Sequence, residues 1–471
     1  MESELTIDDP LAGWRPAVGE PCAAAHTSHR PQVSSIRTAR FSARNSVVWA
    51  ATLFVAAVSG AAAEDAHGPA PEESIAQILP GYGVPGGLRA ALAGGGISYG
   101  ANYIGEFFDV ASGGLSRGTS YDGRVEAFAD IDLEKLAGWK GGTFHVNGYY
   151  IHGVGPQAKH LGSIAPVSSI EALESLRLFE IWVEQSFLDD KLKIRAGQLA
   201  ADNEFLLSDT AGKFLNGTFG WPGIVAANML QGGPAYPFAA PGVRLQLAPT
   251  DAVTVLAAVY DSLPASPDAE DAQRDNRHGT NFRVEDPPLV MVEGQFKYDF
   301  GLPGLLKLGG WKEFNDFADQ QTGALIDGDH GLYAIVDQQI WKGEGDQGVS
   351  VFGRISGSPG KQNTIDFYFD TGIVFSGLVT GRPKDSFGAA FGYAKISDRA
   401  VAADRDAGLP VIRNHEAVLE VNYLAHIAPG WTVVPDFQYF WHPGGRVEDP
   451  IRPGEAVKDA AVVGIRTSIS Y

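Results

Sequence analysis

The chain ends in Asp459-Ala-Ala-Val-Val-Gly-Ile-Arg-Thr-Ser-Ile-Ser-Tyr471, a stretch whose side chains alternate with a period of two. Mostly apolar side chains fall at 461, 463, 465, 467, 469 and 471, whereas Arg466, Ser468 and Ser470 lie between them. This alternation predicts a β-strand with one apolar and one polar face. A strand at a chain end invites aggregation unless both of its edges are paired. A closed barrel pairs every edge, and in a membrane it turns one face to lipid and the other to water.

The same two-residue period recurs along the chain and predicts about sixteen strands, an even number within the range of bacterial barrels. The predicted strands lie near residues 97–108, 119–133, 143–152, 177–188, 191–199, 243–248, 252–261, 288–300, 304–316, 331–342, 347–357, 365–378, 385–397, 414–427, 431–441 and 460–471. The predicted fold is therefore all-β, a transmembrane antiparallel β-barrel over residues 97–471. A large soluble β-protein is the alternative.

The predicted connections are of two lengths. Short turns are expected at residues 189–190, 248–251 and 343–346, and long loops at residues 153–176, 200–242 and 262–288. Short turns at one rim and long external loops at the other are the outer-membrane arrangement. Aromatic residues near strand ends are expected to form the girdles at the membrane interfaces. These aromatic residues are Phe107, Phe108, Trp139, Trp311, Trp341, Phe387, Trp431 and Trp441.

The composition fits an exported β-protein and excludes several other classes. Gly 58 and 10% aromatic residues favour strands over helices. The single cysteine, Cys22, excludes a disulfide framework and a cysteine metal site. A net charge of -20 argues against a nucleic-acid partner, because a phosphate backbone needs a basic surface. No metal and no cofactor are expected.

The amino-terminal region predicts export. Four arginines between positions 30 and 44 precede an apolar run at residues 47–58, and small residues follow up to Ala63. This order is that of a signal peptide, so residues 1–63 are predicted to be an atypically long leader cleaved after Ala63. A single membrane anchor is the alternative, although the run is shorter than the ~20 apolar residues that a spanning helix needs. Residues 64–96 are rich in Pro, Gly and Ala and are predicted to be a linker or a short plug-like segment.

Several stretches resemble the carbohydrate-selective porin family of Gram-negative outer membranes, the OprB type. The first two are residues 177–187 (RLFEIWVEQSF) and 192–205 (LKIRAGQLAADNEF). The resemblance continues at 132–139 (DLEKLAGW), 219–222 (FGWP), 336–341 (VDQQIW), 366–370 (DFYFD), 416–423, 434–439 (VPDFQY) and 442–445 (HPGG). It covers residues 97–471.

The resemblance implies a sixteen-stranded barrel in the outer membrane through which mono- and small oligosaccharides diffuse, with loops folded inward to narrow the pore. It also implies membrane lipid around the barrel, a possible homotrimer, and recognition of the strand ending at Tyr471 by the barrel-assembly machinery. Two other functional classes stay open: an outer-membrane barrel enzyme or adhesin, and a secreted all-β carbohydrate-binding protein.

The candidate solute-contacting residues follow from strand phase and from one long loop. A pore that favours sugars needs aromatic surface and polar groups that exchange hydrogen bonds with hydroxyls without holding them. The alternation predicts that Phe179, Ile181 and Val183 face lipid. Residues 200–242 carry more aromatic side chains than a solvated loop needs, so they are expected to fold into the barrel. The predicted constriction consists of Trp221, Arg195, Arg124, Glu184, Arg244, Glu126 and Trp182.

Two further motifs carry little chemistry. Gly114-Leu-Ser-Arg-Gly118 matches the nucleophile elbow G-x-S-x-G, but strands are predicted on both sides of it, so no catalytic residue is expected. Asp327-Gly-Asp329-His330 has oxygen ligands that suit Ca²⁺, yet it lacks the spacing and the closing glutamate of an EF-hand loop. It is predicted to be part of a solvated external loop.

Overall fold

The computed structural model describes residues 74–79 and 87–471. The predicted leader, residues 1–63, lies outside the described residues, as does most of the predicted linker. Within the linker, a 3-10 turn spans Ile75–Ile78 and a short helix, α1, spans Leu88–Gly94. Arg89 of α1 donates a hydrogen bond to the Tyr99 carbonyl oxygen (3.3 Å), and its guanidinium carbon lies 5.1 Å from the centroid of the Tyr471 ring.

Sixteen strands follow, and each predicted strand overlaps one of them. Their bounds are β1 (Ile97–Gly114), β2 (Gly118–Asp132), β3 (Gly142–Val154), β4 (Ser175–Phe187), β5 (Leu192–Leu199), β6 (Ala240–Thr250), β7 (Val253–Asp261), β8 (Pro288–Asp299), β9 (Pro303–Ala318), β10 (Leu325–Lys342), β11 (Gly348–Gly357), β12 (Ile365–Ser376), β13 (Ser386–Ile396), β14 (His415–Ala428), β15 (Trp431–Trp441) and β16 (Lys458–Ser470).

Six further short helices lie in the connections. They are α2 (Leu133–Ala137), α3 (Gly217–Gly220), α4 (Gly223–Asn228), α5 (Ala272–Asp275), α6 (Asp398–Asp406) and α7 (Pro443–Arg446). Among the described residues, no helix has both the length and the hydropathy needed to cross a bilayer.

The strands form a closed antiparallel barrel in which each strand pairs with its neighbours in sequence and β1 pairs with β16. At the closing seam Glu106 lies opposite Arg466, and Phe107 lies opposite Ile465. The Tyr471 amide also donates to the Ala101 carbonyl oxygen (2.8 Å), which extends the pairing to the last residue. The terminal strand therefore has no free edge, as its sequence requires.

The longest connections lie at one rim of the barrel, and short turns lie at the other rim, as predicted. Residues 188–191, 251–252 and 429–430 connect strands at one rim, whereas residues 155–174, 200–239, 262–287 and 442–457 connect strands at the other. Three further connections lie at the long-loop rim: residues 319–324 after β9, residues 358–364 after β11, and residues 397–414, which include α6, after β13.

The outward face of the barrel is apolar. Its exposed side chains include Val125, Ile194, Leu245, Val259, Leu308, Leu332, Ile355, Val463 and Ile465. Five of the predicted girdle residues are exposed as expected: Phe107, Trp139, Trp341, Phe387 and Trp431. Phe108 and Trp311 are buried in the interior instead, so their assignment to a girdle was wrong. Phe108 follows Phe107 directly, and consecutive residues of a strand point to opposite faces.

The prediction that Phe179 faces lipid was also wrong. The pairing of β3 with β4 shifts between Val146 and Gly148, which lie opposite Ile181 and Leu178 and so leave one extra residue in β4. This β-bulge reverses the alternation, because two consecutive residues then share a face. Phe179 is 1% exposed, and its ring centroid lies 4.7 Å from that of Tyr149 inside the barrel.

Candidate pore constriction

The connection between β5 and β6, residues 200–239, is called the constriction loop below, and it folds into the barrel. Carboxylates on the inner wall accept hydrogen bonds from its backbone amides: Glu293 from Leu206 (3.1 Å), and Glu420 from Leu215 (2.7 Å) and Asn216 (2.8 Å). Buried amides need such partners when a loop leaves water. The predicted inward folding of this loop is confirmed.

Arg354 of β11 binds the carbonyl groups of the same loop. Its guanidinium group donates to the carbonyl oxygens of Leu206 (2.8 Å), Thr218 (2.9 Å), Phe219 (3.1 Å) and Gly220 (3.3 Å). Its charge is balanced by Asp370 on β12, whose carboxylate accepts from Nε at 3.1 Å. The wall thus satisfies both the amides and the carbonyls of the loop.

A second connection, residues 155–174 between β3 and β4, is held in the same way and is called the upper loop below. Glu416 of β14 accepts hydrogen bonds from the amides of Ile164 and Ala165, both at 2.7 Å. Gln438 of β15 donates to the Val167 carbonyl oxygen (2.9 Å). Polar residues of β14 and β15 therefore hold the upper loop in place.

Four charged side chains form an interlocked cluster on β4, β5, β6 and the start of the constriction loop. Glu184 pairs with Arg195 (3.0 Å) and with Arg244 (2.8 Å), and Glu204 pairs with the same two arginines at 2.7 and 3.2 Å. The side chains of Arg195 and Glu184 keep 13% and 12% exposure, whereas Arg244 keeps only 3%. The structure therefore brings together Glu184, Arg195 and Arg244, three of the residues that were predicted for the constriction.

Trp182 supports this cluster from β4. The guanidinium carbon of Arg195 lies 3.7 Å from the centroid of its ring, and the His145 ring stacks on it with centroids 4.9 Å apart. His145 is held in turn by Asp130 at 2.7 Å. Trp182 is only 8% exposed, so little of its ring is free to meet a solute.

Arg124 and Glu126 share the inner face of β2, as predicted, but they lie apart from the four-charge cluster. Arg124 stacks on Tyr149 and on Tyr236, with distances of 4.4 and 5.2 Å from its guanidinium carbon to the ring centroids. Glu126 accepts hydrogen bonds from Asn147 (2.8 Å) and Asn102 (3.1 Å).

Among the described residues, no hydrogen bond or ring contact joins Trp221 to Arg195, Arg124 or Glu184. Its indole nitrogen donates to the Gly232 carbonyl oxygen (3.2 Å), so it joins two parts of the constriction loop. It is half-buried and packs against the apolar cluster around Ile224 and Val225. These contacts favour a role in holding the loop.

Arg354 escaped the sequence-based prediction, and so did two further interior residues, Glu204 and Tyr236. Both belong to the constriction loop, where no strand phase indicates the direction of a side chain. The loop composition was the only signal. Tyr236 donates from its hydroxyl to the Ile170 carbonyl oxygen of the upper loop (2.8 Å), and so links the two inward-folded loops.

The two motifs set aside earlier have structural roles. Ser116 contacts His160 Nδ1 (2.8 Å), while the amides of Leu115 and Ser116 both donate to the His160 carbonyl oxygen at 2.8 and 3.1 Å. Those amides are therefore not free to stabilise an oxyanion. Asp329 was expected in a solvated loop, but it lies fully buried within β10 and accepts from Asn363 (2.6 Å). In residues 74–79 and 87–471, no three His, Cys, Asp or Glu side chains are spaced to share a metal ion.

A closed sixteen-stranded barrel with an apolar exterior, a polar interior and an inward-folded loop defines the class of outer-membrane porins. Residues 116–471 match the model of the carbohydrate-selective porin, OprB family, so the chain belongs to that family.

Individual relatives agree with this assignment. Porin B of Pseudomonas aeruginosa is 26% identical over 429 residues, which cover 81% of this chain and 89% of the relative. The fold is similar to the high-pH structure of Pseudomonas putida OprB, with a TM-score of 0.73, 20% identity and coverage of 82% of this chain and 97% of that one. The low-pH structure of the same protein has a TM-score of 0.51 at 18% identity, with coverage of 83% and 97%. The chain is thus an outer-membrane sugar porin.

Proposed function

We propose that sugars cross this barrel past the cluster of Glu184, Arg195, Arg244 and Glu204. The observation that carries the proposal is the double pairing of two arginines with two glutamates on β4, β5, β6 and the start of the constriction loop. The loop is also fastened to β4, β8, β11 and β14, and the proposed passage runs beside the cluster.

The pairing suits a neutral solute. Two positive and two negative charges cancel, so the cluster neither attracts nor repels ions strongly at a distance, while its donors and acceptors remain near the water of the pore. Sugar hydroxyls exchange hydrogen bonds with Arg195 and Glu184, and because each charge already has a partner, no hydroxyl is held tightly. Weak, exchangeable binding is what rapid diffusion through a pore requires. Trp182 and His145 fix the plane of the Arg195 guanidinium group.

Other parts of the chain have proposed roles of their own. Residues 1–63 act as the export leader and residues 64–96 link it to the barrel. The strand β16 with Tyr471 serves as the signal for the barrel-assembly machinery. A homotrimer is proposed from the family resemblance alone, and light scattering of the purified protein in detergent tests it.

Liposome swelling tests the transport proposal. Proteoliposomes are placed in isosmotic glucose, maltose or a charged solute of equal size, and the swelling rate is compared with that of empty liposomes. We expect rapid swelling in both sugars, and a lower rate for each sugar when Arg195→Ala is reconstituted. Equal swelling rates in sugar for the wild type and Arg195→Ala would show that the cluster does not line the sugar passage.

A further inference from the structure

Two inward-facing arginines lack the carboxylate partners that Arg195 and Arg244 have. No carboxylate oxygen of the described residues lies within 4.0 Å of a guanidinium nitrogen of Arg124 or Arg177. Arg124 makes no hydrogen bond to any described residue, and its Nε is buried without a partner. Arg177 donates only to the Asn276 carbonyl oxygen (3.2 Å) and lies over the Phe238 ring.

These two arginines are neighbours on the inner wall. Tyr149 lies directly opposite Arg177 in the pairing of β3 with β4, and the Arg124 guanidinium group stacks on that same tyrosine. Arg177 is 3% exposed and has no solute access, whereas Arg124 is only partly buried. The region therefore holds two arginines among the carboxylates of Glu126, Glu180 and Asp202, and Arg124 is the more accessible of the two.

The carboxylates nearest to this region hydrogen-bond to other groups, although Oδ1 of Asp202 is buried without a partner. Glu126, two residues along the same face, binds the side-chain amides of Asn102 and Asn147. Glu180 accepts from the Ala200 amide and from the Asn203 side chain, both at 2.8 Å. Asp202 accepts from the Tyr236 amide (2.8 Å). None of these carboxylates forms an ion pair with Arg124, although a charge removed from bulk water is normally paired.

We propose that Arg124 is a binding site for the carboxylate group of a sugar acid, such as an aldonate or a uronate, on its way through the pore. This inference rests on the proposed passage of sugars along the same wall and names a further class of solute for it. A guanidinium group offers two parallel N–H donors that match the two oxygens of a carboxylate. Tyr149 and Tyr236 hold the group in place, so a solute meets a preset donor pair.

The test is uptake of labelled gluconate and labelled glucose by proteoliposomes made from the full-length protein, measured in parallel. The test variant is Arg124→Gln, which removes one positive charge from β2. Lys193→Gln is the matched control, because it removes one positive charge from β5. We expect Arg124→Gln to lower the ratio of gluconate to glucose uptake by roughly tenfold, the effect of losing one charge-assisted hydrogen bond. Lys193→Gln should change that ratio less than about twofold at 0.15 M salt, because Lys193 lies on β5 and the field of a solvated charge falls off over about 8 Å there.

A second measurement on the wild type does not depend on the folding of a variant. Gluconate should compete with glucose uptake at a lower concentration than sorbitol, which has a similar size and no charge. An unchanged uptake ratio in Arg124→Gln, an equal loss in Lys193→Gln, or equal competition by gluconate and sorbitol would each overturn the inference. Failure of the wild type to pass glucose would instead refute the proposed sugar passage.

Discussion

Arg354 and Asp370 form an ion pair inside the barrel in which both side chains are fully buried. The pair spans neighbouring strands, and the arginine also reaches the carbonyl groups of the constriction loop. It therefore connects the rigid wall to the element that narrows the pore.

The first prediction concerns this connection. Replacing Arg354 with Met leaves Asp370 as a buried, unpaired charge and releases four loop carbonyls. Breaking a buried pair of this kind costs about 3–5 kcal/mol. We expect the barrel to form, as judged by its heat-modifiable mobility on a gel, but with higher and noisier single-channel conductance. Arg382→Gln is the control, because Arg382 is a partly exposed arginine in the turn before β13 that pairs with Asp385. Wild-type conductance in Arg354→Met would show that the loop is held by other contacts.

Glu204 is the second test, because it supplies half of the negative charge in the constriction cluster. Glu204→Gln leaves Arg195 and Arg244 with Glu184 alone, so one positive charge is uncompensated. We expect the ratio of chloride to potassium permeability, obtained from the zero-current potential in a KCl gradient, to rise several-fold. The exposed Glu174→Gln in the upper loop serves for comparison and should leave the ratio near that of the wild type. An unchanged ratio in Glu204→Gln would place the cluster outside the ion path.

The two tryptophans should differ in effect. Trp182→Ala removes the ring on which Arg195 stacks, so we expect weaker block of ion current by glucose. Trp221→Ala removes a contact within the constriction loop, so we expect a change in conductance noise with sugar block close to that of the wild type. Titration of the current with glucose in planar bilayers distinguishes the two. A larger loss of sugar block in Trp221→Ala than in Trp182→Ala would show that Trp221 contacts the solute.

An external ion pair gives a prediction about pH. Hydrogen bonds from Arg399 of α6 hold the pKa of the Asp319 carboxyl, between β9 and β10, far below its ordinary range. The contact joins two loops at 2.9 Å. A carboxyl with a depressed folded-state pKa stabilises above its unfolded pKa of about 3.9, and that stability is lost as the pH falls through the folded value.

The loop contact should therefore persist from neutral pH down to about pH 4. Pepsin is active over the acidic part of this range. We expect cleavage within residues 319–324 and 398–406 to stay slow at pH 4 and to accelerate towards pH 2. Asp319→Asn should be cleaved quickly at both values. Equal cleavage of the wild type and Asp319→Asn at pH 4 would show that the pair does not hold the loops.

Much of the fold followed from the two-residue period. Every strand was located because the apolar exterior and the polar interior of the barrel impose an alternation of side chains within each strand separately. The register shifts in several strand pairs, and the shift that places one extra residue in β4 is the one that reversed the phase of Phe179. A β-bulge changes pairing without changing composition, so local pattern does not reveal it.

The site was harder to predict because its parts meet through long-range contacts. Glu184, Arg195 and Arg244 were found because they lie on strands with a known phase. Glu204 and Tyr236 come from the constriction loop, and only the docked loop shows where they point. The same limit applies to Glu416 and Glu420, whose carboxylates hold loop amides in the folded chain.

The most direct test of the central claim uses single cysteines at Glu184 and Ile194, exposed to a charged thiosulfonate reagent that does not cross lipid; the native Cys22 lies in the proposed leader, before Ala63. Glu184 of β4 belongs to the cluster with Arg195, Arg244 and Glu204. Ile194 precedes Arg195 on the neighbouring strand, β5, and is exposed on the outer face. We expect the reagent to modify Glu184→Cys and to reduce its single-channel conductance, with glucose slowing the reaction, while Ile194→Cys remains unreactive in liposomes. Modification of Ile194→Cys with Glu184→Cys unreactive would contradict the assignment of the inner wall as the sugar pathway.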